Sequence, residues 1–98
     1  MRDDVYADPS GSGLLLDVQS DLLSNLATRV VVPLRLPDDS PPPIGGLNPI
    51  FEIAGRKYVM ATSLLSAIPA REVTVPVGNL SRHHSTIMNA LDFLLSGY

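Results

Sequence analysis

Few residues in this chain have the type and spacing to do chemistry. His83 and His84 are its two histidines. Neighbours on a helix point about 100° apart, so the pair cannot jointly hold one metal ion. They read as two solvated residues of a first helical turn. Arg29, Arg56, Arg71 and Glu72 are the residue types of an acid–base set for RNA cleavage, but nothing in their spacing gathers them, and they read as surface charge. Asp38-Asp39 places two carboxylates side by side in a proline-rich stretch, where they read as solvated charge. Ser63, Ser66 and Ser81 lack the flanking pattern of an activated nucleophile. Gly11-Ser12-Gly13 has neither the Lys nor the following helix of a phosphate-binding loop. With no cysteine, disulfides and thiolate metal sites are excluded. By elimination the residues favour a binding protein over an enzyme, with no cofactor and no metal.

The elements that must position any binding surface are short. Val5-Tyr6-Ala7 reads as a first strand, ended by the turn formers Asp8 to Gly13. Leu14 to Ser20 alternates with period two: Leu14, Leu16 and Val18 face one way, and Leu15, Asp17 and Gln19 the other. Ser20 to Thr28 is a connection whose tip exposes Leu22, Leu23 and Leu26. Arg29 to Val32 is a β-branched strand, and Pro33 predicts an edge position or the strand's end. Leu36 to Asn48 is a long Pro- and Gly-rich surface loop. Ile50–Ile53 and Lys57–Thr62 form a hairpin through Ala54-Gly55-Arg56. Ser63 to Ile68 reads as a helical or turn segment, and Arg71 to Val75 as a last strand. Ser81 is a candidate N-cap for a terminal helix. There Ile87, Ala90, Leu91, Leu94 and Leu95 recur at three- and four-residue steps, with Met88 and Phe93 widening the stripe.

This order, several antiparallel strands and then one helix, predicts a mainly β single domain. A small twisted sheet or partial barrel would span about residues 4–78, with the helix at about 81–96 packed on one end. Of the 98 residues, 45% are hydrophobic and 17% charged. A small sphere cannot hide that much apolar surface, which predicts a homo-oligomer rather than a monomer. Ile87, Leu91 and Leu94 are the stripe residues expected to serve the core and the interface between copies. The net charge is −3 and the seven basic residues are scattered, which does not suit direct nucleic-acid binding. Met1-Arg2-Asp3-Asp4 lacks a signal-peptide pattern, and no apolar run approaches the roughly 20 residues that span a bilayer. These features predict a cytoplasmic protein without a membrane partner.

A collinear set of short motifs adds to this. Asp17-Val18-Gln19-Ser20-Asp21 follows a strand, and Val32-Pro33-Leu34, Ile53, Met60-Ala61-Thr62 and Ile68-Pro69 come after it. Asn79-Leu80-Ser81, Ile87, Asn89-Ala90 and Gly97 close the series. In this order they resemble the CcdB family of toxins from bacterial type II toxin–antitoxin modules, over Val5 to Tyr98.

The resemblance implies a homodimer with an SH3-like barrel, shared with MazF-type toxins, and a C-terminal helix. It implies a toxin that is no enzyme: it binds the DNA gyrase A subunit and traps the cleaved-DNA complex. A CcdA-like antitoxin neutralises it, and DNA is met only through that complex, which represses the operon. Carried over by position, the gyrase-binding residues are Leu22, Leu23, Asp92, Leu95, Ser96, Gly97 and Tyr98. The family's aromatic falls at Leu95 and its terminal Trp-Gly-Ile at Ser96-Gly97-Tyr98. Ser96 cannot replace the stacking of that Trp on an arginine, a contact worth about 1–2 kcal/mol; the ring of Tyr98 offers a similar face. Two alternatives stay open: a divergent member that has lost gyrase binding and acts through antitoxin and operator regulation, and a MazF-like endoribonuclease.

Overall fold

A computed structural model of the protein describes residues 1–11 and 13–97. Its hub is β3 (Thr28–Arg35), built on the β-branched run Val30–Val32. Before it come β1 (Asp4–Ala7) and β2 (Leu14–Asp17). After it come β4 (Ile50–Ile53), β5 (Arg56–Met60), β6 (Ser66–Pro69) and β7 (Gly78–Asn79), and then helix α1 (His84–Ser96). Hydrogen-bonded neighbours run β4-β5-β3-β2-β1-β7, and β6 adds to β3. Every pairing is antiparallel. The two ends of this path nearly meet, since Gly78 of β7 lies against the Ile53 side chain of β4. The result is a nearly closed barrel with one C-terminal helix, the architecture expected from the element order.

β3 has different partners along its length. It pairs with β2 on one side; on the other it pairs with β6 over Thr28–Val31 and with β5 over Leu34–Arg35. Pro33 falls at the changeover, and its carbonyl accepts the Ala61 N–H at 2.9 Å. The N–H and C=O of one residue in an antiparallel strand point the same way. The missing donor of Pro33 therefore faces the gap between β6 and β5, so a proline is tolerated in a central strand rather than at the edge expected for it.

The alternation in β2 holds, but both faces are covered. Leu16 joins Val5, Val32, Leu34, Phe51, Met60, Leu80, Ile87, Ala90 and Leu91 in the main core, with Leu14 and Val18 packed against it. Leu15 joins Tyr6, Val31 and Val73 in a second, smaller cluster flanked by Ile68. The segment from Ser66 to Val73 makes that cover, and two expectations fail there. The helical or turn segment expected over Ser63 to Ile68 is confined to a 3₁₀ turn at Thr62–Leu64, and Ser66–Pro69 is a strand. Arg71–Val75 is not a strand, because Ala70–Glu72 winds into a 3₁₀ turn. The partners of Ser66–Pro69 lie in β3, 35 to 41 positions upstream, from Val31↔Ser66 to Thr28↔Pro69, so no local pattern announces the strand.

The hairpin of β4 and β5 turns on Ala54 and Gly55, both at positive φ (53° and 80°), the two-residue geometry that suits strand twist. The 37–49 loop is long and exposed, as expected, yet it is pinned at its end. Asn48 accepts the Ile44 N–H and donates to the Met60 carbonyl, both at 3.0 Å, and the Thr62 hydroxyl donates to the Leu47 carbonyl.

Candidate functional site

Exposed aliphatics occur at several places on the barrel, among them Val75, Val77 and Ile44; the two groups at positions singled out from the sequence are each held by a local device. The first is the turn after β2. Asp17 is fully buried and its Oδ1 accepts the Gln19 N–H at 3.0 Å. Gln19, itself buried, accepts the Val30 N–H through Oε1 (3.0 Å) and donates through Nε2 to the Leu23 carbonyl (2.9 Å). Ser20 Oγ caps the following 3₁₀ turn by accepting the Leu22 N–H at 3.2 Å, and Asp21 accepts the Arg2 N–H at 2.9 Å. The polar residues of Asp17-Val18-Gln19-Ser20-Asp21 thus fix the turn Asp21–Leu23, and that turn presents Leu22 at 94% exposure and Leu23 at 50%.

The second group is the free end of α1. Ile87, Ala90 and Leu91 bury the inner face, while Leu95 is 74% exposed. Asp92, Ser96 and Gly97 are exposed as well. Gly97, at φ 77°, ends the helix in the left-handed conformation, and its N–H donates to the Phe93 carbonyl at 2.9 Å. Tyr98 lies outside the described residues. Among the described residues no hydrogen bond links the helix end to the Leu22-Leu23 turn, so each is positioned by the barrel independently. Of the three stripe residues expected at a dimer interface, Ile87 has no exposed surface and Leu91 only 6%. Both therefore serve the chain's own core, and Leu94, half-buried, is the one that keeps surface a second copy can cover.

Beneath the other end of α1 lies a polar network that the local pattern did not reveal. Asp3 is 5% exposed, and its carboxylate accepts from the His84 ring at 2.7 Å. Its backbone sits at φ 71° and is locked twice: its N–H donates to the Asp17 carbonyl (2.7 Å) and its C=O accepts the Leu80 N–H (2.8 Å). One residue thereby ties β2, the start of α1 and the N-terminal strand together. Asp17 Oδ2 lies 3.7 Å from Arg29 Nε and 3.5 Å from the Met1 amine. Burial pushes the Tyr6 hydroxyl above its usual pKa, and the nearby carboxylates of Asp4 and Asp17 push the same way against Arg29.

The histidines are not merely solvated, as their adjacency had suggested. His84 is the partner of Asp3, and the His83 ring lies 5.1 Å from that of Phe51. Nor does Ser81 cap the helix: its own N–H donates to Asn79 Oδ1 at 2.8 Å, and Ser81–His83 forms a 3₁₀ turn before α1 begins. Arg29 is drawn to Asp17, so it is not free to join an acid–base set. Among the described residues no cluster of three or more His, Cys, Asp or Glu side chains is placed to hold a metal ion, and no helix is long and apolar enough to cross a membrane.

A barrel closed on a C-terminal helix, with exposed aliphatics on the turn after Gln19-Ser20 and at the helix end, is the setting in which comparison with known families becomes informative. The family model described as CcdB protein matches residues 2–97. The chain belongs to the CcdB family. CcdB-family chains are the toxins of toxin–antitoxin modules and have an antitoxin as partner. The match takes in the Asp17–Asp21 motif, the turn it supports and all of α1, so both exposed groups belong to the CcdB region of the chain.

Proposed function

We propose that this CcdB-family toxin binds the DNA gyrase A subunit through the Leu22-Leu23 turn and the end of α1, and traps the gyrase complex with cleaved DNA. It acts as a homodimer in the cytoplasm. A CcdA-like antitoxin neutralises it, and the toxin–antitoxin complex represses the operon. The observation that carries this reading is the exposure of Leu22 and Leu95 on elements fixed by buried partners, at positions the family resemblance assigns to the target. An aliphatic side chain left in water on a rigid support loses little entropy when a partner covers it, so its burial goes into affinity. The side chains offered at this surface are aliphatics, a serine and a carboxylate, a set suited to docking.

Expressing the chain without its antitoxin is expected to arrest growth and raise gyrase-dependent DNA cleavage; unaffected growth at high expression overturns the proposal. Ser96, where the family carries Trp, favours a second reading, in which gyrase binding is lost and the chain acts through its antitoxin and operator. Titration against the dimerisation domain of the gyrase A subunit separates the two: tight binding rejects the second reading, and its absence rejects the first.

A further inference from the structure

The N-terminal segment joins the Leu22-Leu23 turn to the start of α1. Met1 to Asp4 forms a tight turn, closed by the Asp4 N–H donating to the Met1 carbonyl at 3.0 Å. On one side the Arg2 N–H donates to Asp21 Oδ1 at 2.9 Å, and Asp21 opens the 3₁₀ turn that carries Leu22 and Leu23. On the other side Asp3 meets the His84 ring at 2.7 Å. Asp4 Oδ1 accepts the side-chain amide of Asn79 at 2.8 Å, which ties the segment to β7.

Asp3 holds the third position of this turn at φ 71°. Glycine adopts that conformation freely; an aspartate keeps it only where its surroundings over-determine it. Here they do, since its N–H is bonded to Asp17, its C=O to Leu80 and its carboxylate to His84. What an aspartate adds over a glycine here is the grip on the helix. The Arg2–Asp21 bond is different in kind. It lies at the surface, where water competes for both groups, so it persists only while its donor is held still.

We infer that Asp3 and His84 are positioning residues for the Leu22-Leu23 turn. Their contact fixes the Met1–Asp4 turn, that turn holds the Arg2 N–H against Asp21, and Asp21 steadies the two exposed leucines. Gln19 and Ser20 brace the same turn from within its own stretch of chain; the strap braces it from α1. Both residues act through Arg2 and Asp21. The inference rests on the docking reading proposed above and names what keeps one of its two contact groups in place.

The strap is tested on the full-length chain by NMR relaxation of the Leu22 and Leu23 amides, without any partner. Their order parameters are expected to fall from about 0.85, the rigid value, to below about 0.6 in His84→Ala. Asp3→Gly should do the same; it makes the turn without strain and leaves no buried carboxylate behind, so it serves even where His84→Ala fails to fold. His84→Asn should restore the rigid values, because its side-chain amide can donate to Asp3 in place of the ring. Val59→Ala, a buried change in β5, should leave both amides rigid. Unaltered order in Asp3→Gly, no rescue by His84→Asn, or equal loosening in Val59→Ala overturns the strap. In titrations against the gyrase A dimerisation domain, His84→Ala is expected to weaken binding by about fivefold or more. Adding Asp21→Ala should cost no more than about a further twofold, because both changes cut one path; independent, multiplying losses overturn the route through Asp21. If the unaltered chain fails to bind the domain, the gyrase reading falls, and the relaxation of the free chain alone decides the strap.

Discussion

At its N-terminal end α1 starts over a buried carboxylate that the chain itself provides; at its C-terminal end it finishes in a carboxylate, an exposed leucine and a glycine cap. The first end is tied into the barrel: Asp3 joins His84 to the backbones of Asp17 and Leu80. The second carries Leu95 at 74% exposure and has no charged partner among the described residues. Between them Ile87, Ala90 and Leu91 are sealed in the core. One helix thus has an end tied into the barrel and an exposed end, the one proposed above to meet the target, with a sealed stretch between them.

This contrast can be broken most forcefully in the middle. Ile87→Ala removes a fully buried side chain and is expected to lower unfolding free energy by about 2–5 kcal/mol in chemical denaturation. That is a large share of the roughly 5–15 kcal/mol typical of such domains, and both ends should lose their order together.

At the N-terminal end, His84→Ala leaves neither oxygen of buried Asp3 with a hydrogen-bond partner. A loss of about 1–3 kcal/mol is expected. A double-mutant cycle with Asp3→Asn should show a coupling of about 0.5 kcal/mol or more; additive losses would show that the pair is not a unit.

At the C-terminal end, Leu95→Ala or Leu22→Ala should change stability by no more than about 0.5 kcal/mol. Either should still weaken binding of the gyrase A domain measurably. A variant that unfolds more readily but binds as before would reverse the division of labour drawn here.

The smallest effect concerns Tyr6. Its folded pKa is raised, chiefly by burial, so between the unfolded value of about 10 and the folded value the folded state holds more protons than the unfolded. Stability is therefore fully present below about pH 10 and declines as pH rises through that window. Tyr6→Phe should flatten this alkaline decline in denaturation series at stepped pH, while Leu95→Ala should leave it unaltered.

The features legible in the sequence were those with a local signature. The hairpin of β4 and β5 follows from its alternation and its Ala54-Gly55 turn. The inner stripe of α1 follows from its spacing, although that spacing could not divide Leu94 and Leu95 from the sealed Ile87 and Leu91. The exposed tip at Leu22, Leu23 and Leu26 was visible as aliphatics in a polar connection. β6 was not legible, because Ser66–Pro69 has weak alternation and takes its order from β3. Pro33 misled for the same reason: whether a missing N–H matters depends on which neighbour faces it. The Asp3–His84 pair, 81 positions apart, left no trace in any window of the chain.

What the sequence determined by itself is therefore the set of short-range commitments: turn chemistry, strand alternation and the apolar face of α1, each fixed by contacts a few residues apart. The tertiary structure alone decided which strands flank β3, how β7 comes to rest against β4, and which buried charge answers which end of the helix. Those choices depend on hydrogen-bond and ion-pair partners brought together only when the barrel closes. The same closure makes one end of α1 an anchor and leaves the other open.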